Sequence, residues 1–535
     1  MKSSSYLGHD IQRKTFNELL IRNENGELKP LVAISLPRIV KRDSGYLFEY
    51  RIRDEAKWDD GLPITSEDIE FSLKALKLPL NENIGISSYY SRIKNVIRDS
   101  VSSQIFSLMT VGNKNDLLRL TCDFGILQKS KFDPKGLLEH VSFEDIESNP
   151  SVLRNDDKVN SFYQSIIEDG FMYGGSYFHS SGPYQVAGIE NGKSITLQRN
   201  GNWWANTLRD KFDYIHAGPE EIIYFNIPET IAALYALKNG DIDVMDNIPS
   251  SEFVQLENDH EFLDRYNLYS PVKYSFTYVG FNSSKETLNN KMVRRALAHL
   301  IDKQDIIESV ENGYAQATIG PINPATSYFY NSTANPIEYD PDATADWLKQ
   351  AGLKKINDQW VAAENEEPIE FTIIHKQNTV YEGIAQILIN EGRKIGIKLS
   401  SISYDDRTIR GMLKERNFDI TIGSFNGSPY SYNFSGLFGT SAAKAGGMNF
   451  TGFGNAKSDS LIQGINYAED SLQRKSYLLG FQEMLNEECN MVFLYFSRNK
   501  IAINKKFTNL KVSSLKPGYD VTAFEMIKET SSSGF

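Results

Sequence analysis

The chain has 535 residues, of which 40% are hydrophobic and 24% are charged, and its formal net charge is −12. These values are typical of a globular protein with two or three domains. An acidic chain without a basic stretch is a poor partner for nucleic acid or anionic lipid, because both need clustered lysine and arginine. The sequence has no run of about 18 apolar residues, so no segment is predicted to span a membrane.

The predicted elements alternate between strands and helices, which indicates an α/β fold. In chain order the patterns predict a strand over 46–53, a turn at 58–61, a helix that starts at 65–68, a hairpin over 184–198, a helix over 229–237, a strand over 242–244 and helices over 291–300 and 341–350. The helix starts are marked by hydroxyl and acidic residues, and the helix ends by glycine. The Trp58 turn and the Trp203-Trp204 pair are tempting as binding sites, but packed anchors are the favoured interpretation.

A βαβαβ block follows. Strands over 369–374, 398–402 and 418–422 alternate with helices over 381–395 and 407–415. Parallel strands need such crossover helices. A loop rich in glycine, serine, asparagine and aromatic residues is then predicted from Gly423 to Asn455. Long loops at strand ends are often functional, although a surface Ω-loop with packed aromatics is the alternative.

Several short motifs follow one another in a definite order along residues 15–500. They are Phe48–Arg53 with Lys57–Asp68, Ser181–Tyr184, Arg199–Trp204, Ala236–Asp243, Gly280–Asn282, Val293–Ala298 with Ile301–Lys303, and Asp340–Gly352. Each is weak alone, but their order and spacing together are specific. The combination resembles the family 5 extracellular solute-binding proteins, which include oligopeptide, dipeptide, nickel and some sugar receptors of ABC importers.

The resemblance implies an α/β, two-lobed periplasmic-binding-protein-like II fold of cluster C with an extra inserted domain. The implied segments are lobe I over 1–20, inserted domain II over 21–169, lobe I again over 170–270, lobe II (domain III) over 271–491 and lobe I again over 492–535. Hinge crossings are expected near 270 and near 490.

The implied function is that of a substrate-binding receptor. It would capture a short peptide or peptide-like solute by hinge closure between the lobes and deliver it to ABC permease subunits in the membrane. The resemblance also implies a monomer in the periplasm or at the outer face of the cytoplasmic membrane, with lipid anchoring left open. The stretch Met1–Tyr6 has neither an apolar h-region nor a lipobox cysteine. A targeting segment is therefore absent from this sequence, or the protein is cytosolic.

The predicted loop departs from the family pattern in one respect. Peptide-binding relatives carry an aspartate four residues before a proline in this place, and it pairs with the α-amino group of the peptide. Here Phe425 stands four residues before Pro429, and no carboxylate occurs from Ile420 to Lys457. Because a buried α-ammonium needs a partner charge, either another acid replaces the aspartate or the ligand has no free amino terminus. An oligosaccharide or other neutral polar solute is thus an open alternative.

The predicted ligand-binding residues combine aromatic rings with neutral polar groups, which suits stacking and neutral hydrogen bonding. They are Ser424, Phe425, Asn426, Ser428, Tyr430, Tyr432, Asn433 and Phe434 in the loop, and Tyr278, Phe281, Asn282 and Tyr381 elsewhere. Ordinary packing is the alternative for each. Tyr89 and Tyr90, in the expected inserted domain, are weaker candidates.

No catalytic residue, metal site or cofactor is predicted. None of the seven histidines lies three or four residues from another, and no Gly-x-Ser-x-Gly motif occurs. The stretch Gly188–Ser194 is one residue short of a P-loop and lies in the predicted hairpin. A hydrolase, or a signalling or chaperone-like module on the same fold, is therefore less favoured. Cys122 and Cys489 are expected to be buried free thiols, with pairing left open.

Overall fold

The computed structural model describes residues 6–43, 45–79, 89–112, 114–168, 180–326, 328–364, 366–427, 432–444 and 446–527. The chain forms two compact units: unit 1 comprises residues 1–245 and 503–535, and unit 2 comprises residues 246–502. The chain passes from one unit to the other at 245/246 and again at 502/503, whereas the sequence predicts these crossings near 270 and near 490. The five-segment division with an inserted domain over 21–169 stays a prediction.

Unit 1 contains small antiparallel sheets with helices between them. Its strands before the first crossing are β1 (Leu20–Arg22), β2 (Leu28–Pro30), β3 (Arg38–Arg42), β4 (Gly45–Arg51), β5 (Ile93–Arg98), β6 (Ile105–Val111), β7 (Tyr184–Glu190), β8 (Ser194–Arg199), β9 (Glu221–Phe225) and β10 (Val244–Met245). Its helices are α1 (Tyr6–Thr15), α2 (Ser66–Lys77), α3 (Lys114–Leu120), α4 (Lys129–Phe132), α5 (Phe143–Ser148), α6 (Pro150–Arg154), α7 (Asp157–Glu168) and α8 (Thr230–Asn239). The sheets have the orders β1-β2, β3-β4-β6-β5 and β7-β8-β9.

Local sequence signals explain several of these elements. The predicted strand over 46–53 is β4, and the predicted hairpin is β7 with β8. Helix α2 begins where expected, because the Thr65 N–H donates to the Asp68 carboxylate at 2.9 Å. Trp58 and Trp203 are buried, and their indole N–H groups donate to Asp68 and Asn17 respectively. The interpretation of these tryptophans as packed anchors is confirmed.

Unit 2 is built on one six-stranded sheet covered by helices. Its strands are β11 (Tyr266–Tyr269), β12 (Val272–Phe281), β13 (Ala315–Ala317), β14 (Lys354–Ile356), β15 (Gln359–Val361), β16 (Glu370–Lys376), β17 (Lys398–Tyr404), β18 (Ile420–Asn426) and β19 (Met491–Arg498). Its helices are α9 (Ser250–Glu257), α10 (His260–Arg265), α11 (Glu286–Asn289), α12 (Lys291–Ala298), α13 (Lys303–Glu311), α14 (Pro341–Gln350), α15 (Thr379–Ile395), α16 (Asp406–Glu415), α17 (Ser435–Phe438), α18 (Ala456–Tyr467) and α19 (Ser471–Glu488).

The central sheet of unit 2 has the order β13-β19-β12-β18-β16-β17. Strands β17, β16 and β18 are mutually parallel, and β12 runs antiparallel to both β18 and β19. One face packs a core that contains Val279 and Phe281, and the other packs a core that contains Phe276 and Tyr278. The predicted βαβαβ block is confirmed as β16, α15, β17, α16 and β18.

The prediction of a continuous loop from Gly423 to Asn455 is wrong. Strand β18 continues to Asn426, and α17 and a short 3₁₀ helix at Thr440–Ala442 interrupt the rest. Residues 423–426 pair with residues 275–278 of the neighbouring strand β12. This pairing keeps the chain extended beyond Gly423, where the sequence suggested that the strand ends.

The chain leaves and re-enters unit 1 through two segments that run side by side. In unit 2 the Ile248 N–H donates to the Lys500 carbonyl at 3.1 Å, and in unit 1 the Asn504 N–H donates to the Asp243 carbonyl at 2.9 Å. The returning segment forms β20 (Ile501–Asn504), followed by β21 (Phe507–Thr508) and β22 (Glu525–Met526).

Cys122 in unit 1 and Cys489 in unit 2 are both buried and free, as expected. Burial raises the pKa of the Cys489 thiol from 9.0 to about 11, so it stays protonated at neutral pH. Within the described ranges, each helix is too short or too polar to cross a bilayer.

Candidate functional site

Polar and aromatic side chains gather where the parallel strands of unit 2 end. Strands β16, β17 and β18 end at Lys376, Tyr404 and Asn426, and the antiparallel strand β12 begins beside them at Val272. We call this the carboxyl edge of the sheet. In open α/β sheets, ligands bind outside the carboxyl ends of the strands.

Three predicted ligand-binding residues, Ser424, Phe425 and Asn426, are the last three residues of β18 at this edge. Ser424 pairs with Thr277, Phe425 with Phe276, and Asn426 with Ser275. Because side chains alternate along a strand, Ser424 and Asn426 lie on one face of the sheet and Phe425 on the other. Ser424 and Asn426 are exposed, and Phe425 is half-buried.

The face with Ser424 presents hydroxyl groups. The Tyr381 hydroxyl donates to Ser424 Oγ at 2.9 Å. Tyr381 is positioned by the first turn of α15, where the Asn378 side chain accepts from the Val380 and Tyr381 N–H groups at 3.0 and 3.3 Å. A helix start therefore fixes one partner and a strand end fixes the other, so the hydroxyl pair is held by two rigid elements.

The opposite face presents stacked rings. Phe425 stacks on Tyr278 with centroids 5.2 Å apart and an interplanar angle of 16°, and on Phe450 with values of 6.2 Å and 22°. Burial, with a smaller effect of Tyr381, raises the pKa of Tyr278 far above its ordinary value of 10.0. A Cβ atom at Gly423 would lie 2.7 Å from the Tyr278 hydroxyl, so glycine is required there for the tyrosine to reach across the strand.

Two of the acids at the carboxyl edge, Asp405 and Asp406, are already engaged. Asp405 caps α16 by accepting from the Arg407 and Thr408 N–H groups at 2.9 and 3.0 Å, and its hydrogen bond from the Thr408 hydroxyl lowers its pKa. Asp406 contacts Lys376 at 2.8 Å and Arg410 at 2.5 Å. The chain from Ile420 to Lys457, which includes Ser424 and Phe425, carries no carboxylate. Glu382, next to Tyr381 in the first turn of α15, is an exposed acid at this edge.

The later residues of the predicted loop have a different setting. Tyr432 and Phe434 are buried in the core: Tyr432 lies 5.4 Å below the Arg474 guanidinium, and Phe434 stacks on Phe481 at 5.1 Å. Asn433 is exposed, and its side-chain oxygen accepts from the Ser435 N–H at 3.1 Å. This placement favours packing over ligand contact for the two rings. Ser428 and Tyr430 lie outside the described residues.

Phe281 and Asn282 lie at the other end of β12. Phe281 pairs with Ile420, the first residue of β18, so it stands about 20 Å from the carboxyl edge. Asn282 is fully buried, and its amide donates to the Arg416 and Phe418 carbonyls at 2.9 and 2.7 Å. The structure does not bring these two residues to the other candidates, and the satisfied amide indicates a structural role.

Two residues of the site were missed by sequence reasoning. Thr277 pairs directly with Ser424 across the sheet, and Phe450 completes the stack on Phe425. The alternation in β12 could have indicated Thr277, since it precedes Tyr278. Phe450 carries no comparable signal, because its position depends on the fold of the residues between β18 and α18.

Comparisons with known proteins decide the family. The model for "Bacterial extracellular solute-binding proteins, family 5 Middle" matches residues 27–446, which is more than half of the chain. This chain belongs to family 5 of the bacterial extracellular solute-binding proteins. Among its relatives, the oligopeptide-binding protein AppA of Bacillus subtilis is 22% identical over 530 residues, which cover 97% of this chain and 87% of AppA.

Solved family 5 structures share the fold. AppA of Bacillus subtilis in complex with a nonapeptide has a TM-score of 0.68 at 21% identity, covering 98% of this chain and 95% of that one. NikZ of Campylobacter jejuni in complex with Ni(L-His) has a TM-score of 0.68 at 22% identity, covering 96% and 94%. The predicted two-lobed α/β fold class is confirmed.

Family 5 membership makes the chain a solute-binding protein, and members of the family are extracytoplasmic transport proteins rather than enzymes. Among the side chains that the structure describes, no three or more histidine, cysteine, aspartate or glutamate residues are grouped so as to hold a metal ion. The side chains of Ser424, Phe425 and Tyr381 at the carboxyl edge can stack on a solute and form neutral hydrogen bonds with it.

Proposed function

We propose that this family 5 protein is the receptor of an ABC importer and captures a short peptide or peptide-like solute whose amino terminus is blocked or buried elsewhere. The solute binds at the carboxyl edge of the unit 2 sheet, against Ser424, Phe425 and Asn426. Tyr278 supports the Phe425 ring by stacking on it, and Tyr381 supports Ser424 through a hydrogen bond. Closure of the two units on the solute, through the paired crossing segments, would give the membrane permease a form that differs from the empty receptor.

The absence of a carboxylate from β18 and the residues that follow it carries the proposal. Tyr381 and Ser424 form a neutral hydrogen bond, and the aspartates that follow β17 already accept from their own helix or pair with lysine and arginine. A free α-ammonium enclosed against Ser424, Phe425 and Asn426 would lose water without gaining a charge from these residues, at a cost of several kcal/mol. An acylated or otherwise capped chain avoids that cost.

A matched peptide panel tests the proposal. Peptides of two to six residues are compared as free-amine and N-acetylated pairs by thermal shift, followed by calorimetric titration. We expect the N-acetylated member of a pair to bind at least about tenfold more tightly, since about 1.4 kcal/mol changes affinity tenfold. Tighter binding of the free-amine members would refute the neutral-site argument.

A neutral oligosaccharide is the second candidate, and the same absence of carboxylates from Ile420 to Lys457 favours it. Stacked rings with neighbouring hydroxyls suit sugar faces and hydroxyl groups. Stabilisation of the protein by oligosaccharides, with no response to any peptide pair, would select this alternative.

A further inference from the structure

The sequence contains six asparagines that are followed directly by glycine. They are Asn25, Asn191, Asn200, Asn239, Asn312 and Asn426. At such a pair the backbone nitrogen of the glycine can attack the side-chain carbonyl carbon of the asparagine, because glycine has no side chain to hinder the approach and its backbone rotates freely. The attack needs an asparagine side chain that can turn and a glycine N–H that no other group holds. The fold therefore decides which of the six pairs can react.

Four of the six glycines donate their N–H to a backbone carbonyl. Gly26 donates to Asn23 at 2.9 Å, Gly240 to Leu237 at 3.1 Å, Gly313 to Ile307 at 3.0 Å and Gly427 to Tyr274 at 2.6 Å. Gly240 and Gly313 lie in the turns that end α8 and α13, where this bond also completes the helix end. In these four pairs the nitrogen must leave its hydrogen bond before it can reach the asparagine side chain.

The fifth pair, Asn200 with Gly201, is restrained through the asparagine side chain. Asn200 is buried, and its amide donates to the Asp59 carboxylate at 2.9 Å. Its side-chain oxygen accepts from the Asn202 N–H at 3.0 Å. The side chain cannot turn towards the Gly201 nitrogen without breaking both of these hydrogen bonds.

Asn191 and Gly192 differ from the other five pairs. They form the exposed tip of the hairpin between β7 and β8, in a β-turn that the Lys193 N–H closes on the Glu190 carbonyl at 2.9 Å. Gly192 has a φ of +75°, and a Cβ atom built on it would meet open space. Among the residues that the structure describes, the Asn191 side chain and the Gly192 N–H have no hydrogen-bond partner.

The other contacts of this turn leave its middle peptide able to rotate. The Asn226 amide donates to the Gly192 carbonyl at 2.9 Å, and Lys193 Nζ pairs with the Glu190 carboxylate. The peptide between Asn191 and Gly192 takes no part in these contacts or in the bond that closes the turn. It can therefore rotate towards the Asn191 side chain while the hairpin stays intact.

We propose that Asn191 is a site of spontaneous modification, at which the folded chain converts asparagine into aspartate and isoaspartate. The Gly192 nitrogen bonds to Asn191 Cγ and loses its proton, and the side-chain nitrogen of Asn191 leaves as ammonia, so a cyclic imide forms. Water then opens this ring. Cleavage of the bond between the nitrogen and Cγ gives aspartate, and cleavage of the bond between the nitrogen and the backbone carbonyl carbon gives isoaspartate.

Both products change the hairpin tip in a measurable way. Each places a new carboxylate next to Glu190, and isoaspartate also lengthens the backbone of the turn by a methylene group. The modified chain is therefore more acidic than the original chain and separates from it by ion-exchange chromatography. The reaction depends on the hairpin of unit 1 alone and not on the proposed solute.

The experiment incubates the purified full chain at mildly alkaline pH, once folded and once in denaturant, and follows all six asparagines by peptide mapping with mass spectrometry. In the folded chain we expect Asn191 to convert at least about tenfold faster than the other five, because each of those must first open a hydrogen bond or a buried side chain. In denaturant the six rates should converge, since the fold no longer restrains any pair.

Two glutamine variants complete the experiment. Asn191→Gln should prevent the acidic form from accumulating in the folded protein, because the longer side chain closes a ring far more slowly. Asn25→Gln changes an exposed asparagine whose glycine N–H is held, so it is the matched control and should leave the acidic form unchanged. Faster conversion at another of the six, equal rates at all six in the folded chain, or an acidic form that persists in Asn191→Gln would overturn the proposal.

Discussion

Two alanine variants, Phe425→Ala and Phe434→Ala, compare a ring proposed to face the solute with a ring buried in the core. Truncation of a fully buried phenylalanine costs about 3–5 kcal/mol. Phe425 is half-buried, so its truncation should cost about 2 kcal/mol, whereas Phe434 is only 8% exposed and should cost the full amount. In a unit of about 250 residues, each kcal/mol lowers the melting temperature by about 2–4 °C.

The binding effects should have the opposite order. Loss of the Phe425 ring removes a stacking surface at the carboxyl edge and should weaken binding of the best N-acetylated peptide by about 1–3 kcal/mol, or about 5- to 150-fold in Kd. Phe434→Ala should bind nearly as the wild type while it remains folded. Differential scanning calorimetry and titration calorimetry on both variants give the two quantities. Unchanged affinity in Phe425→Ala together with lost affinity in Phe434→Ala would refute the assignment of the site to the end of β18.

Three further predictions follow from individual contacts. Tyr381→Phe and Ser424→Ala, alone and combined, should show a coupling of about 0.5–1.5 kcal/mol in solute binding, because they share one hydrogen bond; additive effects in the double-mutant cycle would contradict a shared role. Asn282→Ala should destabilise the fold by about 2–4 kcal/mol in denaturant unfolding, since it leaves buried carbonyls without donors, with the affinity of the folded protein unchanged. Burial raises the pKa of the Glu18 carboxyl from 4.5 to about 7, so the wild type loses stability as the pH rises between these two values. Glu18→Gln should therefore raise the free energy of unfolding at about pH 8 by on the order of 3 kcal/mol and have no effect below about pH 4. A gain that is the same at every pH would contradict the raised pKa.

The sequence predicts the regular parts of unit 2 well because their signals are local. The alternation over 369–374 and 398–402 and the helical periodicity between them depend on neighbouring residues alone. The end of β18 was misjudged because Gly423 and Ser424 suggest a turn, while the ladder with Thr277 and Tyr278 keeps them extended. Tertiary pairing overrides local propensity at these positions.

The candidate site was predicted only in part for a related reason. Ser424, Phe425, Asn426, Tyr278 and Tyr381 come together because β12, β18 and α15 meet at one edge, which the order of elements could indicate. Phe281 was grouped with Tyr278 because the two are neighbours in sequence, yet a strand carries residues away from an edge by about 3.3 Å each.

The three arginines of unit 1 that contact Asp123, namely Arg13, Arg22 and Arg119, could not be anticipated from the sequence. They are separated by up to about a hundred residues and lie in α1, β1 and α3. The net charge of −12 indicates an acidic chain and gives no sign that arginines gather at one place. Only the fold shows that three guanidinium groups share the Asp123 carboxylate.

Hydrogen–deuterium exchange with and without the best-binding N-acetylated peptide tests the central claim most directly. Binding at the carboxyl edge should slow exchange of the backbone amides over 423–427 and over 378–381. The amides around Phe281 and Asn282, at the far edge of the same sheet, should exchange at the same rate in both states. Protection confined to that far edge, or no protection in unit 2 at all, would contradict a solute site at the carboxyl ends of these strands.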